Sequence, residues 1–276
     1  MKNVEVIVAT HKAYEFPKEK SYVPMQVGAK NSNLNLNIAR DDVGDNISDK
    51  NPYFCELTAL YSLWKNSKAK YKGLVHYRRY FTLHKNIPKE GRLSCVLTDK
   101  EIEELTKNYD IILPNKRRYI IENLWSHYNH TLHIEPLKKT GEIIEKEYPT
   151  YLAEFKNLKS RKSAHMFNML IAKSEIVDEY ADWLFNILFK LEKELKKNKD
   201  APKYSGFHAR FYGRISELLF DVWLYTKYPE LKKSNESDRI KVKELKIVDI
   251  EGVNWLKKGS SFLLAKFTGR KYEKSF

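Results

Sequence analysis

The apolar residues of this 276-residue chain fall into short runs that alternate with longer segments at helical spacing. The first run, residues 4–10, is rich in β-branched side chains and predicts a buried strand that ends at the polar pair His11-Lys12. Residues 53–64 carry apolar side chains at helical spacing, and residues 71–75 suit a strand interior. A strand, a helix and a strand in this order predict a right-handed unit with two parallel strands.

The remaining pattern continues this alternation. It predicts two more core strands, at residues 110–114 and 165–172. Helices are predicted at residues 99–108, 120–128, 137–148, 175–195 and 215–224. Residues 22–40 have no clear period and predict a loop. The predicted fold class is therefore α/β, with a single Rossmann-type mixed sheet flanked by helices.

The pattern changes after Tyr228, and we predict a boundary there between a domain at residues 1–228 and a basic, amphipathic helical extension at 229–276. Residues 238–251 alternate weakly, as a late strand would. Residues 254–276 mix apolar side chains with lysines, which is typical of a segment on an anionic membrane surface. A packed C-terminal helix with a solvated lysine face accounts for the same pattern. No apolar run suits a signal peptide or a membrane span, so we predict a cytoplasmic protein whose membrane contact is peripheral.

The formal net charge of +14 indicates an anionic partner, a requirement that nucleic acid, an anionic membrane and a nucleotide-sugar all meet. The two cysteines, Cys55 and Cys95, have no partner motif and are predicted to be reduced packing residues. The Walker, GxGxxG, GxSxG and HExxH motifs are missing, which argues against nucleoside triphosphatases, dinucleotide enzymes, serine hydrolases and zincins. A nucleotide-sugar enzyme stays compatible with the sequence.

The most informative segment is residues 73–81, where a strand pattern runs directly into cationic and aromatic side chains. Two adjacent arginines, Arg78 and Arg79, can neutralise and orient a phosphate group beside His76. The carboxyl end of a strand is also where open α/β sheets bind ligands. An edge strand whose arginines lie in solvent or pair with nearby acids is the structural alternative.

Two further clusters are polar. Residues 40–48 contain small polar groups and carboxylates that suit sugar or ribose hydroxyls, with turn and capping chemistry as the alternative. The carboxylates are Asp41, Asp42 and Asp45. A second cluster contains histidines three residues apart, but no cysteine or carboxylate pair completes a zinc set. His127, His130 and His133 therefore predict a substrate-contacting loop, or else surface histidines.

Glu217 lies near the start of an otherwise apolar predicted helix. A desolvated carboxylate there suits general-base work, although the helix dipole favours any acid in a first turn. His208, Arg210 and Arg214 lie close by in sequence and, with the loop at residues 204–207, indicate a substrate cleft.

Together these segments resemble a bacterial family that began as a domain of unknown function in capsular and exopolysaccharide gene clusters and is grouped with galactofuranosyl-type glycosyltransferases. The resemblance spans most of the chain. It rests on Val8-Ala9-Thr10-His11-Lys12, Asp45-Asn46-Ile47-Ser48, Asn51-Pro52, Glu56-Leu57-Thr58, residues 73–81, Met166-Phe167-Asn168-Met169 and Ser216-Glu217-Leu218-Leu219-Phe220. It implies a GT-A-like fold with a donor half at about residues 1–115 and an acceptor half at about 116–228.

The resemblance also implies a hexosyltransferase. The sugar, galactofuranose in the first place and galactopyranose or another hexose as the alternative, would move from its UDP donor to a lipid-linked or oligosaccharide acceptor in an inverting displacement. The implied catalytic residues are Glu217, Arg78 and His76. The implied donor-binding residues are Thr10, His11, Lys12, Asp45, Asn46, Tyr77, Arg79 and Tyr80. The implied acceptor-binding residues are His127, His133, Asn168, His208 and Arg214.

Most GT-A enzymes hold a divalent cation with an Asp-x-Asp motif, and here that place carries His76-Tyr77-Arg78. The nearest approximation, Asp249-Ile250-Glu251, comes far later in the sequence. We therefore expect no metal or other cofactor, because fixed cations can take over the role of the metal. The family's glutamate is often followed by arginine, whereas Leu218 stands here.

A non-catalytic protein that binds nucleic acid or an anionic membrane is the alternative to an enzyme. No recognised nucleic-acid module is present, however, and no nucleic-acid partner is expected.

Overall fold

The computed structural model describes residues 3–197, 204–235 and 237–252. The strands in these residues are β1 (Val4–Thr10), β2 (Tyr22–Gln26), β3 (Ala39–Arg40), β4 (Tyr71–His76), β5 (Arg79–Thr82), β6 (Ile111–Pro114), β7 (Arg117–Arg118), β8 (Ser163–Ala164), β9 (Leu170–Lys173) and β10 (Val242–Asp249). The α-helices are α1 (Asn51–Phe54), α2 (Leu57–Asn66), α3 (Asp99–Asn108), α4 (Leu124–Thr131), α5 (Glu135–Glu147), α6 (Leu152–Lys156), α7 (Ser174–Lys197) and α8 (Phe211–Lys227).

The first half of the sheet is the predicted parallel unit. β1 lies between β2 and β4 and is parallel to both, with Ala9 opposite Met25 on one side and opposite His76 on the other. The strands β1, β2 and β4 therefore end at one edge of the sheet, which we call the carboxyl edge. β2 corrects the loop predicted at residues 22–40. Its apolar side chains are spaced too irregularly to predict a strand, and it forms by pairing with β1.

The second half of the sheet curls back on β4. β9 is antiparallel to β4 and to β6, β10 is parallel to β6 and antiparallel to β5, and β5 returns to β4 at His76 and Arg79. Strands β4, β5, β10, β6 and β9 thus form a closed, barrel-like ring within a mixed sheet. The α/β class and the mixed sheet flanked by helices are confirmed.

β10 comes from the segment that the sequence assigns to a C-terminal extension, yet it lies inside the sheet between β5 and β6. It corresponds to the weakly alternating segment at residues 238–251. Because β10 is parallel to β6, its last residue, Asp249, also reaches the carboxyl edge. The tail at residues 254–276 lies outside the described residues.

Hydrophobic cores cover both faces of the sheet. Successive strand residues point to opposite faces, so Ile7 joins the core of α2, α7 and α8, while Val6 and Val8 join the core that includes α3. Trp223 of α8 is fully buried, and its replacement by alanine would cost about 3–5 kcal/mol. Gly73 is required where β4 meets β9, because a Cβ there would lie 2.9 Å from the Ile171 side chain.

Two segments depart from their predicted regular structure. The helix predicted at residues 53–64 breaks into α1 and α2 at Cys55, whose φ is 53°. The strand predicted at residues 165–172 begins only at Leu170, because Phe167 and Asn168 adopt φ values of 78° and 52°. A left-handed backbone costs free energy in residues other than glycine and is concentrated at functional sites.

Both cysteines are free thiols, Cys95 buried and Cys55 half-buried. No helix in the described part of the chain is long and apolar enough to cross a membrane.

Candidate functional site

A basic and aromatic cluster occupies the carboxyl edge where β1 and β4 end. We define it as His11, Lys12, Tyr14, Tyr77 and Arg78. The ring of Tyr77 packs edge-on against His11 at 5.4 Å and against Tyr14 at 5.0 Å, and the charged ends of Lys12 and Arg78 lie 5.3 and 5.2 Å from its centre. The cluster combines aromatic faces with two cations at a ligand-binding edge.

One carboxylate, that of Glu251, sits in the centre of this cluster. It accepts hydrogen bonds of 2.8 Å from Arg78 Nη1 and 2.9 Å from the Tyr14 hydroxyl, and its Oε1 lies 3.7 Å from Lys12 Nζ. Burial together with this contact raises the pKa of Tyr14 to about 12, so its hydroxyl stays a donor. The cluster therefore holds a carboxylate between two cations and a hydroxyl donor.

His11 is partly buried among positively charged side chains. Burial and the charges of Lys12, Arg210 and Arg78 lower the pKa of His11 below its ordinary value. Arg210 lies directly before α8, so a positive charge at the start of that helix contributes to the electrostatic potential at the cluster. A bound anion would be attracted to this position and would stabilise the protonated imidazole.

Arg79, the first residue of β5, lies deeper in the protein than Arg78 and pairs with the last residues of two strands. It is opposite His76 of β4 and Asp249 of β10, and its Nε is 3.4 Å from the Asp249 carboxylate. Its guanidinium also covers the ring of Phe167 at 4.9 Å. The side chain is only 18% exposed, and burial lowers its pKa. Arg79 is thus a buried support for the turn that carries Arg78.

A strained loop at Phe167 and Asn168 connects this edge to α8. His76 Nε2 donates to Phe167 O at 2.5 Å, and Phe167 N donates to Glu217 Oε1 at 3.2 Å. The Asn168 amide donates to Gly213 O at 3.1 Å and accepts from Ser216 Oγ at 2.8 Å. Hydrogen bonds on both sides hold the two left-handed residues in place.

Asn168 also binds Glu56, which belongs to one of the sequence motifs but has no role predicted from the sequence. Its amide donates to Glu56 Oε1 at 2.6 Å. Glu56 directly follows Cys55, the left-handed residue that separates α1 from α2. The carboxylate is half-buried, and no hydrogen bond to its Oε2 is recorded among the described residues. Glu56 therefore offers an acceptor oxygen at the site.

Glu217 has a different environment. Its side chain is 5% exposed, and its two oxygens lie 3.4 and 3.1 Å from Arg214 Nη1. Glu217 raises the pKa of Arg214 further above its ordinary value. The structure brings Glu217 to the site, where both of its oxygens are already engaged.

Four of the donor-binding residues expected from the resemblance do not face the cluster. Thr10 is buried, and its hydroxyl donates to Lys12 O at 2.7 Å, which shapes the turn after β1. Tyr80 is fully buried, and its ring packs against Tyr22 inside the core. Asp45 and Asn46 lie beside the C-terminal end of α2.

The position of Asp45 and Asn46 follows from their contacts. Asp45 accepts from the Tyr61 hydroxyl, and Asn66, the last residue of α2, donates to Asp45 O. Because α2 runs back from the carboxyl edge between two parallel strands, its last residue lies towards the opposite edge. The adjacent Asp41 is fully buried and accepts hydrogen bonds from two backbone amides and two hydroxyls, so this cluster follows the turn alternative.

The expected acceptor histidines divide into two groups. His127 packs on Tyr119 at 4.2 Å and donates to the buried Glu122, and burial lowers its pKa to about 4. The charge of Arg214 contributes to this lowering, which places His127 on the Glu217 side of the site. His133 and His208 contact one another, with ring centres 5.0 Å apart, before the start of α8.

Sequence reasoning missed Glu56 and Tyr14, and it set aside Asp249 and Glu251 because of their distance along the chain. The structure places both of these acids at the carboxyl edge, where an Asp-x-Asp motif would lie. Each one is paired with an arginine, however, which is a poor ligand set for a divalent cation. In the described ranges no group of three or more His, Cys, Asp or Glu side chains is placed to hold a metal.

Fold and site together define an α/β protein with a basic and aromatic cluster at the carboxyl edge of its sheet. The chain belongs to the family described as "Domain of unknown function (DUF4422)", whose profile matches residues 5–228. It is also similar to a solved apo structure of WbbM, a bifunctional glycosyltransferase, with 30% identity and a TM-score of 0.76. The match covers 91% of this chain and 46% of that one, so this chain spans about half of its length. No curated protein matches the chain significantly.

Proposed function

We propose that this protein is a glycosyltransferase that binds a UDP-sugar at the carboxyl edge of its sheet. The observation that carries the proposal is the cluster around Glu251, in which two cations and a tyrosine hydroxyl converge on a single carboxylate. The similarity to a bifunctional glycosyltransferase supports this class of reaction. Galactofuranose is the first candidate sugar, with galactopyranose or another UDP-linked hexose as the alternative.

In this proposal the donor diphosphate takes the position of the Glu251 carboxylate. Arg78 offers two N–H groups to the phosphate oxygens, while Lys12 supplies a second charge and Tyr14 a hydroxyl donor. The rings of His11 and Tyr77 border the nucleoside. Because these groups are fixed before the donor binds, they can stabilise the negative charge that develops on the departing diphosphate.

Transfer is a single inverting displacement in this proposal. A carboxylate accepts the proton of the acceptor hydroxyl, the hydroxyl oxygen bonds to the anomeric carbon, and the bond from that carbon to the diphosphate oxygen breaks, which releases UDP. Glu56 is the better placed base in this proposal, because among the described residues no hydrogen bond occupies its Oε2, while Asn168 orients its Oε1. Glu217 then positions the loop at Phe167 and the guanidinium of Arg214.

The acceptor is proposed to approach between the start of α8 and α4, where Arg214 and the neutral His127 can contact its hydroxyls. A lipid-linked or oligosaccharide acceptor of a capsular, exopolysaccharide or O-antigen glycan fits the family resemblance. No step of this proposal needs a metal ion.

The first test is a screen of UDP-sugars by thermal unfolding, since a ligand that binds only the folded state raises Tm. UDP-galactofuranose is then incubated with a galactose-terminated acceptor, with and without a chelator. We expect stabilisation by UDP and its sugars and transfer that survives the chelator. Absence of both binding and transfer for every UDP-sugar would refute the proposal, and chelator-sensitive transfer restored by manganese would refute its metal-free form.

A further inference from the structure

The turn between β7 and α4 presents two large apolar side chains to solvent. Ile120 is 87% exposed and Ile121 is 52% exposed, the largest such pair of chain neighbours among the described residues. We propose that this turn, which we call the isoleucine tip (residues 119–123), docks the protein onto an anionic membrane surface. Adjacent exposed isoleucines are unfavourable in water unless a partner covers them.

Backbone contacts on both sides hold the isoleucine tip in shape. β7 pairs with β8, Tyr119 N donates to Lys162 O at 2.7 Å, and Leu124 N donates to Arg161 O at 2.8 Å. Between these anchors the side chain of Glu122 turns inward and binds His127 and His130. The isoleucines are therefore held outwards by the fold, as a membrane-inserting tip requires.

The charge around the isoleucine tip selects an anionic surface as its partner. Residues 115–124 and 157–164 contain a single carboxylate, Glu122, which is buried. The basic side chains of these two segments are Lys116, Arg117, Arg118, Lys159, Arg161 and Lys162. Four of these six are exposed, and no ion pair is recorded for them within the described ranges. Basic side chains that surround a small apolar tip match anionic headgroups above the hydrocarbon.

The isoleucine tip also lies next to the acceptor side of the site. Tyr119, its first residue, packs on His127, and the charges of Arg117 and Arg214 both lower the pKa of His127. Membrane docking through this tip does not depend on the proposed sugar transfer. If the proposed function holds, docking has a consequence for the acceptor: a lipid-linked acceptor would enter the site from the membrane plane.

The test is sedimentation of the full chain with vesicles of phosphatidylglycerol and phosphatidylcholine, against vesicles of phosphatidylcholine alone. We expect binding to the anionic vesicles only. The double variant Ile120→Ser/Ile121→Ser should bind at least about tenfold more weakly. Val43→Ser is the matched control, because Val43 is 65% exposed elsewhere on the surface. Thermal unfolding checks that each variant is folded.

Two further variants separate the contribution of the isoleucines from that of the surrounding charges and of the C-terminal tail. Arg117→Ala/Arg118→Ala should weaken anionic-vesicle binding by roughly fivefold for each charge removed and reduce its salt dependence. A chain that ends at Gly252 should retain the part of anionic-vesicle binding that the isoleucine tip provides. The proposal is overturned if the isoleucine variant binds anionic vesicles as tightly as the intact chain. It is also overturned if the intact chain self-associates and the variant differs from it only in having lost that self-association. Vesicle binding requires no donor, so it can fail or succeed independently of sugar transfer.

Discussion

Arg78 and Glu251 lie 173 positions apart in the chain, yet their side chains form a 2.8 Å ion pair at the carboxyl edge of the sheet. Arg78 is brought there by the turn between β4 and β5, and Glu251 by the end of β10. The pair sits where the proposed donor diphosphate would bind. Glu251 thus offsets part of the positive charge of the cluster and would have to give way to the proposed diphosphate.

Replacement of Glu251 by glutamine should strengthen UDP binding. The variant removes a negative charge that competes with the diphosphate for Arg78 and Lys12, and an affinity gain of about fivefold is expected for a half-exposed pair. Isothermal titration with UDP measures the change. Weaker binding by the variant would show that Glu251 orients Arg78 for the ligand instead of competing with it.

UDP binding should raise the pKa of His11. In the free protein burial and neighbouring cations hold this pKa below its ordinary value, and a bound diphosphate would favour the protonated ring. The histidine resonances can be followed by NMR across a pH titration, with and without UDP. His84, which is remote from the cluster, provides the internal control. An unchanged His11 titration at saturating UDP would place the anion elsewhere.

Replacement of the two candidate bases, Glu56 and Glu217, should have different effects on kcat and Tm. Glu56→Gln should lower kcat by a factor of about 100 to 10,000 with little change in Tm, because the amide oxygen cannot accept the acceptor's proton. Glu217→Gln should lower Tm, because Arg214 loses its charged partner.

Measurement of kcat and Tm for both variants separates the roles. If Glu217→Gln loses turnover at an unchanged Tm while Glu56→Gln stays active, Glu217 is the base and Glu56 only supports Asn168. The exchange Asp182→Asn on the exposed side of α7 serves as a control for the loss of one carboxylate.

A buried charge network should make stability depend on pH. His165 lies between Asp221 at 2.5 Å and Glu244 at 3.3 Å. Burial alone would lower its pKa, but the two carboxylates outweigh burial and raise it. A raised folded-state pKa means that the stabilisation is complete below about pH 6.5, the unfolded value, and is lost as the pH rises through the folded value.

The Tm of the protein should therefore fall as the pH rises from about 6.5 through the raised folded-state pKa of His165, and it should fall less in His165→Gln. Calorimetry on both proteins gives the comparison, and the difference between them removes the titration of other groups. If the Tm falls equally steeply with pH in both proteins, His165 is not held protonated in the folded state.

The regular elements of the fold were largely predictable from periodicity. Strand β1, helix α3 and the parallel pairing of β1 with β4 follow the sequence pattern closely, because each buries one apolar face. β2 was not predictable, since its pairing with β1 decides its structure. The break at Cys55 and the loop at Phe167 also lack a glycine signal, and only contacts with distant segments explain them.

The site was only half predictable. Arg78, His11 and Lys12 meet at one edge because strand ends concentrate local motifs. Glu251 reaches the same place through β10, a strand whose weak alternation gave no indication of its partners. Long-range strand pairing, which a single sequence does not encode locally, accounts for this difference.

The measurement that tests the central claim most directly is UDP affinity and sugar transfer by Arg78→Ala, with Arg239→Ala as the control. Arg239 is also paired with a glutamate but is 61% exposed and lies far from the cluster in the fold. Arg78→Ala should bind UDP about tenfold to a hundredfold more weakly, lose transfer and stay folded, while Arg239→Ala should behave as the unchanged protein. Unchanged UDP affinity and transfer in Arg78→Ala would contradict the proposed role of the cluster in donor binding.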